Sequence, residues 1–578
     1  MSVQRANKLE MQHRLFVELS SMFGQEVPLY DKSLIVNHEC NSTVCKLLGQ
    51  LFCGFQLSSA ELDHASGERH GAIRIGTARE YRLVARYFAA FSMLPHNYYD
   101  MTNVGARSQP VVATAFRSSI DPAHRIFCSL LLTDHFDDAT KARVDALLAT
   151  RQVFSEQAIE LLAKEDRDGG LSSTDADALI REGTERIFRW TGKARDYQLY
   201  QSLCAAGFKI AADIACFESH HLNHLTPNTL WMDLYTAAMK FCLGDWSEDA
   251  FRVRAALALT RLQRSADRDH MRLHFRQLPF EAIESFPVGR PSPTAIGELV
   301  EQLTKRLQHP DLVLRELDHS GFKDVTEGPS EDTPVLLRQD SYRALTEPVA
   351  FRDSDGTVTN AEHSARFGEI EQRFYATTPT GRALYDSCLA AAEVDRERHP
   401  DLAESDLDAY EVMYAKHFAA FPKTLRELLR QRLVYGDFAP ASKGIAEKSR
   451  IDTTDLWQLI DAGYVRYEGL RYEDFLPVSA AAIFASNLNE SGTRTTAAVR
   501  PVYTQAMLET VMDQRIIEAD ALYRAMEARS LLMTYERLGL LAQLPLAEKA
   551  ALDRAVAANP VADASLRAAD RRAREVAV

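Results

Sequence analysis

Residues 366–373 (RFGEIEQR) carry two glutamates between two arginines. In a β-strand successive side chains alternate, so Glu369 and Glu371 would lie on the same face. A carboxylate on a buried strand face is unfavourable unless a cation or a metal ion satisfies it. The segment is therefore either an edge strand with solvated Glu/Arg pairs or one part of a metal site.

Residues 218–228 (ESHHLNHLTPN) contain three histidines within five positions. His220 and His224 would share a helix face, but Pro227 disfavours a continuing helix and the zinc-binding pattern HExxH is absent. On a strand, His221 and His224 would point to opposite sides. A histidine-rich turn on the surface is the alternative explanation for His220 and His221.

Residues 66–77 (SGERHGAIRIGT) predict a short strand that is followed directly by a helix. His70 and Arg74 fall on one face of this strand. Two histidines and one carboxylate from separate strands would form a facial triad, which leaves metal positions open and suits non-haem Fe(II). An arginine beside the triad suits a substrate carboxylate, because its planar fork binds that group through two hydrogen bonds.

Glu371 is the alternative carboxylate ligand of such a site. Strand geometry does not choose between Glu369 and Glu371, since both lie on one face. Glu371 could instead form an ion pair with Arg366 or Arg373, or it could orient a metal-binding histidine.

Composition and charge are those of an ordinary globular protein. The 578 residues are 46% hydrophobic and 26% charged, which allows a large core and two or more domains. The net charge of −14 argues against nucleic acid or an anionic membrane as the main partner. There is no long apolar run that predicts a membrane span, and eight cysteines without a CxxC pair are typical of buried free thiols in a reducing compartment. We therefore expect a cytoplasmic protein.

The order of the predicted elements indicates an α+β fold. A strand around His70 and a helix precede strand candidates at 111–116 and 125–132, and the second half repeats this order with His224 on its first strand and Glu369 on its last. The predicted organisation is an N-terminal helical segment (1–60), a first βαβββ-like module (61–135), a helical connection (136–215), a second βαβββ-like module (216–400) with a helical insertion at about 244–310, and a helical C-terminal region (401–578) with a pocket loop at about 463–480.

Five motifs resemble the DUF1338 family, which includes the bacterial 2-oxoadipate dioxygenase/decarboxylases, also called hydroxyglutarate synthases. The motifs are HGAIR at 70–74, NHLTP at 223–227, LLRQ at 336–339, RFGEIEQR at 366–373 and FLPVS at 475–479. The resemblance extends from about Leu15 to about Leu531. The fold of the family resembles the vicinal-oxygen-chelate proteins, which are built from paired βαβββ modules, so the resemblance agrees with the two-module interpretation.

The resemblance implies an iron-dependent oxygenase that acts on a 2-oxo acid. It implies that Fe(II) is bound by His70, His224 and Glu369, and that Arg74 is a catalytic residue that holds a substrate carboxylate. The residues implied for substrate binding are His70, Arg74, His224, Val478 and Ser479. The implied reaction consumes O2 and converts 2-oxoadipate to 2-hydroxyglutarate with release of CO2, a reaction of lysine catabolism.

The chain departs from the family pattern at three places beside the site. Asn228 stands where the family usually has Arg, and Phe374 stands where a Gly usually follows the Gln-Arg pair. His224 and Glu369 are separated by 369 − 224 = 145 positions, a long gap that we attribute to the helical segment at about 244–310. Two alternatives stay open: a metal-dependent lyase or isomerase of the same fold that does not use O2, and a non-catalytic binding protein.

Overall fold

The structure is a computed structural model of the chain. It describes residues 5–103, 108–119, 124–317, 319, 321–323, 325–476 and 502–559. Val478 and Ser479, which the family resemblance assigns to the substrate pocket, lie outside the described residues. The described residues form a mixed α+β fold, which confirms the predicted fold class.

The strands of the described ranges belong to four sheets. They are β1 (Glu68–Ile75), β2 (Met93–Asp100), β3 (Val111–Ser118), β4 (Arg125–Leu131), β5 (Lys193–Arg195), β6 (His224–Pro227), β7 (Leu337–Ser341), β8 (Leu345–Arg352), β9 (Val358–Arg366), β10 (Glu369–Arg373), β11 (Gly436–Pro440) and β12 (Val465–Gly469).

The α-helices surround these sheets. They are Lys8–Glu26, Pro28–Leu51, Ser59–Ser66, Ala78–Ala90, Asp138–Ala149, Glu156–Asp168, Ser173–Glu182, Tyr197–Ala205, Lys209–Cys216, Met232–Leu243, Glu248–Ser265, Arg268–His274, Phe280–Ser285, Ala295–Leu307, Pro379–Arg398, Leu402–Ser405, Leu407–His417, Leu425–Arg430, Ser442–Ala446, Leu456–Asp461, Gln505–Met512, Ala519–Leu538 and Leu546–Ala557. Among the helices of the described ranges, none is both long and apolar enough to cross a membrane.

The largest sheet has the strand order β2-β3-β4-β1-β6. Strand β1 runs parallel to β4 on one side and antiparallel to β6 on the other. Beyond β6, a parallel bridge joins Asn228 to Glu371, and the Thr229 N–H donates to the Glu371 carbonyl at 2.8 Å. Strand β10 therefore lies beside β6, and it pairs on its other edge with antiparallel β7. This order brings β1, β6 and β10 together at the centre of the molecule.

Gly71 allows β6 to approach β1 closely. A Cβ atom at this position would lie 2.8 Å from the His224 carbonyl oxygen and 2.9 Å from the Leu225 side chain, both closer than real Cβ contacts. The register pairs Ala72 with His224. A larger residue at position 71 would push the two strands apart, so this glycine helps to set the distance between His70 and His224.

The helix Pro28–Leu51 fixes the chain where β6 ends. The side-chain amides of Asn37 and Asn41 both donate to the Asn228 carbonyl, at 3.0 and 3.2 Å. The Asn41 side-chain oxygen accepts from the Leu230 N–H at 2.8 Å. All four residues are buried, so these bonds satisfy backbone groups that have left the regular sheet.

The first predicted module, residues 61–135, contains the elements that the sequence predicts and one more. The predicted strands at 111–116 and 125–132 correspond to β3 and β4, and the helix predicted directly after the His70 strand is Ala78–Ala90. A capping box between Thr77 and Glu80 begins this helix. The additional strand is β2, which the sequence analysis did not identify.

The apolar core of the described residues forms two clusters. The larger cluster covers both faces of the main sheet, and the smaller packs the helices Pro379–Arg398 and Ala519–Leu538 against β11 and β12. The eight cysteines are free thiols, as expected, although Cys53 is exposed.

Candidate metal centre

Three side chains from adjacent strands meet at the centre of the molecule. His70 lies on β1, His224 on β6 and Glu369 on β10, and their ligand atoms all lie within 4.8 Å of one another. The Nε2 atoms of His70 and His224 are 3.2 and 3.4 Å from Glu369 Oε2. The three residues are at most 4% exposed. The structure thus brings together the three residues that the sequence analysis proposes as metal ligands.

The polar atoms of this triad fit a bound metal ion. Neither ring nitrogen of His224 has a hydrogen-bond partner among the described residues, and the same holds for Glu369 Oε1. Buried polar atoms without a partner are unfavourable, so the arrangement is better satisfied with a cation between the side chains. Burial lowers the pKa of His224 to about 4, which keeps the imidazole neutral, as metal binding requires. Two imidazole nitrogens and one carboxylate suit a divalent transition metal.

Glu371 contacts the other nitrogen of His70. Its Oε2 atom lies 2.8 Å from His70 Nδ1, whereas Glu369 faces Nε2. A proton on Nδ1 that points at Glu371 leaves the Nε2 lone pair free for a metal. Of the roles that the sequence leaves open for Glu371, the structure supports the orientation of a metal-binding histidine.

Two buried arginines hold Glu371 in its ionised form. Arg125 Nη2 donates to Glu371 Oε1 at 2.5 Å, and Arg373 forms a fork with bonds of 2.7 and 2.8 Å. Burial opposes ionisation of Glu371, but Arg125, Arg373 and His70 outweigh it and hold the pKa of this carboxyl well below its usual range. The segment is fully buried, so the edge-strand interpretation of RFGEIEQR is wrong.

Arg366, the other candidate partner of Glu371, points elsewhere. Its guanidinium donates to Glu26 at 2.6 Å and forms a fork with Glu347 at 2.6 and 2.9 Å. The same guanidinium lies 4.7 Å from the centre of the Trp190 ring. Arg366 therefore ties β9 to the N-terminal helix and does not contribute to the triad.

Arg74 lies in an ion pair with Asp213. Its Nη1 atom donates to Asp213 Oδ2 at 2.6 Å, and both side chains are buried. Asp213 lies on the helix Lys209–Cys216, so the carboxylate that pairs with Arg74 comes from outside the RFGEIEQR segment. Burial opposes ionisation of Asp213, but His221 and Arg74 outweigh it and hold its pKa well below the usual range.

The histidines at 220 and 221 are buried, so the surface-turn explanation is wrong. His221 Nε2 lies 3.2 Å from Asp213 Oδ1, and the ring packs edge-on against Trp190 with 4.7 Å between ring centres. Burial lowers the pKa of His220 to about 4, with Glu80 acting against this shift. His221 thus belongs to the Asp213 network rather than to the triad.

An aromatic ring packs against each histidine of the triad. The Phe475 ring packs edge-on against His70 with 4.8 Å between ring centres, and Phe367 stacks on His224 at 4.9 Å. Phe475 belongs to the FLPVS motif and stands three positions before Val478. These rings keep water away from the two histidines and strengthen electrostatic interactions there.

Comparison with known proteins identifies the family. The family model described as 2-oxoadipate dioxygenase/decarboxylase matches residues 15–282 and 297–487, which include His70, His224 and Glu369. The chain belongs to this family. The two matched ranges leave out residues 283–296, within the helical segment at 244–310.

Individual members of the 2-oxoadipate dioxygenase/decarboxylase family align over nearly the whole chain. The enzyme so described from Pseudomonas putida is 33% identical over 534 residues, which cover 90% of this chain and 95% of that protein. The one from Escherichia coli is 31% identical over 533 residues and covers 90% and 97%. The crystal structure of the hydroxyglutarate synthase from P. putida in complex with 2-oxoadipate matches with a TM-score of 0.64 at 30% identity, covering 93% of this chain and 99% of that chain.

Asn228 and Phe374, which the sequence analysis singles out beside the site, both have defined local environments. Asn228 donates to the Ala65 carbonyl at 2.8 Å and accepts from Arg471 Nη2 at 3.3 Å. The Arg471 guanidinium thus contacts the side chain at this position. Phe374 is buried in the smaller core cluster, where its ring lies 6.2 Å from that of His274.

Proposed function

We propose that the protein is a non-haem Fe(II) oxygenase that decarboxylates and hydroxylates a 2-oxo acid. The proposed reaction converts 2-oxoadipate and O2 to 2-hydroxyglutarate and CO2, and it balances in every atom without a further co-reactant. The observation that carries the proposal is the buried His70–His224–Glu369 triad in a chain of this family.

We also propose the paired βαβββ architecture, related to the vicinal-oxygen-chelate fold, and the domain boundaries predicted from the sequence. The strand neighbours support it. The first strands of the two proposed modules, β1 and β6, lie antiparallel beside each other, and each has the last strand of its own module, β4 or β10, as its parallel neighbour. Such an arrangement collects side chains from both modules at a single central site.

The triad supplies three protein ligands and leaves the remaining metal positions to small molecules. When bound, Fe(II) would activate O2 and polarise the 2-oxo group of the substrate. Glu371 keeps the proton of His70 on Nδ1, so that Nε2 stays available as a ligand.

Arg74 holds a substrate carboxylate in this proposal. It stands four positions after His70 on the same face of β1, so a ligand bound beside His70 lies within reach of its guanidinium. Val478 and Ser479 are proposed to line the substrate pocket on the strength of the family resemblance. Phe367 and Phe475 keep bulk water from the two histidines.

Isotope labelling tests the reaction. Protein loaded anaerobically with Fe(II) is given 2-oxoadipate and ¹⁸O2, and the products are identified by mass spectrometry. The proposal predicts 2-hydroxyglutarate with two labelled oxygen atoms, one in the new carboxylate and one in the hydroxyl group. Conversion of 2-oxoadipate to an isomer, or to the aldehyde left by simple decarboxylation, without incorporation of ¹⁸O would indicate an isomerase or a lyase. A failure to bind any divalent metal would indicate a non-catalytic binding protein.

A further inference from the structure

A second network of buried polar side chains meets at Asp213, on the helix Lys209–Cys216. Asp213 is 2% exposed, and three side chains surround its carboxylate. Arg74 Nη1 donates to Oδ2 at 2.6 Å. On the other oxygen, Oδ1, His363 Nε2 lies at 3.0 Å and His221 Nε2 at 3.2 Å.

Tyr200 determines which nitrogen of His363 carries the proton and therefore which group donates in the His363–Asp213 hydrogen bond. The Tyr200 hydroxyl lies 2.8 Å from His363 Nδ1. Burial raises the pKa of Tyr200 far above neutrality, so the phenol keeps its proton and can donate it to Nδ1. His363 then carries its own proton on Nε2 and donates to Asp213, where a bare nitrogen would face the carboxylate unfavourably.

Aromatic packing restricts the two histidines. The Phe217 ring lies 4.6 Å from His363 and 5.3 Å from His221, measured between ring centres. Trp190 packs edge-on against His221 at 4.7 Å and parallel to His363 at 6.0 Å. The carboxylate of Asp213 is therefore held from several elements at once, and the position of Arg74 depends on it.

A contribution to protein stability does not by itself explain why the buried Arg74–Asp213 ion pair is present. A buried ion pair often contributes no more to stability than apolar residues of similar size would. The pair is, however, close to the candidate metal centre. The β1–β6 register places Ala72 opposite His224, and Arg74 follows Ala72 by two positions on the same face of β1. Arg74 is therefore displaced from the position opposite His224 by about 7 Å along the strand.

We propose that Asp213 is a positioning residue that fixes the guanidinium of Arg74 for the substrate carboxylate. This inference rests on the proposed function, because it takes Arg74 as the residue that holds that carboxylate. A guanidinium has five N–H donors, so contact with Asp213 through Nη1 is compatible with a fork to the substrate. A side chain already fixed loses less conformational entropy when the substrate binds.

The test is a double-mutant cycle on the iron-loaded enzyme with 2-oxoadipate. Asp213→Asn keeps the shape and removes the charge, and it should raise KM about tenfold, the effect of one charge-assisted hydrogen bond. The change in kcat and in iron content should be smaller. In an Arg74→Lys background the same substitution should change KM less than about twofold, because its effect acts through the arginine.

Glu80→Gln is the matched control. It alters another buried carboxylate–arginine pair, with Arg151 at 2.8 Å, and should lower the melting temperature without raising KM. If Asp213→Asn does not fold, two other variants test the same contact. Asp213→Glu displaces the carboxylate and His363→Gln loosens its support, so each should raise KM.

An unchanged KM in the folded Asp213 and His363 variants would overturn the proposal. It would also be overturned if Asp213→Asn raised KM as much in the Arg74→Lys background as in the wild type. Absence of O2-dependent turnover in the wild type would instead contradict the proposed function. The two failures are therefore distinguishable.

Discussion

Glu371 Oε2 lies 2.8 Å from His70 Nδ1, on the side of the imidazole ring opposite to the Nε2 atom that faces Glu369. Two glutamates from one face of β10 thus serve the two nitrogens of a single histidine. Glu369 lies among the potential metal ligands, whereas Glu371 orients the histidine and is itself held by arginines. This division of roles leads to distinct expectations for the two carboxylates.

Substitution of Glu369 and of Glu371 by glutamine distinguishes a metal ligand from a residue that orients a ligand. Glu369→Gln should abolish Fe(II) binding, because the triad loses its anionic ligand. Glu371→Gln should keep the site and weaken iron affinity on the order of 10–100-fold, as is typical of groups that orient a metal-bound histidine. Anaerobic Fe(II) titration of both variants measures this. Iron retention in Glu369→Gln together with its loss in Glu371→Gln would reverse the assignment.

The neighbouring histidines differ in the same way. His224→Ala should lose iron, because His224 Nε2 faces Glu369 at 3.4 Å. His221→Ala should retain iron, because His221 faces Asp213 at 3.2 Å. Metal analysis after anaerobic loading compares the two variants, each of which removes one buried imidazole. Loss of iron from His221→Ala alone would show that the ligands are wrongly assigned.

Arg74 should affect turnover more than iron binding. Arg74→Lys should retain iron and have a lower kcat/KM, because an ammonium group offers a point charge in place of a planar fork. Arg74→Ala should lose more than about tenfold in kcat/KM. It should also lose stability, since it leaves Asp213 buried without its cation, a change that typically costs about 3–5 kcal/mol. Steady-state kinetics and thermal melting on the same preparation measure both effects. A lowered melting temperature with unchanged kcat/KM would show that Arg74 is purely structural.

His96 makes stability depend on pH. It is buried, and burial together with Arg117 lowers its pKa from 6.5 to about 4. The unfolded chain therefore takes up this proton more readily than the folded protein, so the contribution of His96 to stability is lost as the pH falls from about 6.5 towards 4.

Replacement of His96 isolates its contribution. The free energy of unfolding of the wild type, relative to His96→Asn, should fall by at most about 1.4 kcal/mol per pH unit in this window. Chemical denaturation of both proteins at pH 7 and pH 5 measures the difference. A difference that does not depend on pH would contradict the lowered pKa.

The triad was predictable because each of its residues lies in a distinctive local segment. Strand periodicity placed Glu369 and Glu371 on one face, and the motif resemblance selected Glu369 as the ligand. Arg125, which binds Glu371, had no such signal, since it reaches the site only through the parallel pairing of β4 with β1. Asp213 and His363 are brought to Arg74 by a helix and a distant strand. Contacts of this kind depend on tertiary packing, which local periodicity does not contain.

The strand β2 was missed for a related reason. Its sequence, MLPHNYYD, contains a proline and little alternation of apolar and polar residues. It lies at the edge of the sheet and is defined by its pairing with β3, which includes an irregularity between His96 and Tyr99. Strand propensity depends on such neighbours more than helix propensity does.

Oxygen uptake tests the central claim most directly, namely that His70, His224 and Glu369 bind iron for an O2-dependent decarboxylation. Wild-type protein loaded anaerobically with Fe(II) and given 2-oxoadipate should consume one O2 for each CO2 released, and Glu369→Gln should consume none. Release of CO2 without O2 uptake, or equal O2 uptake by Glu369→Gln, would contradict the account.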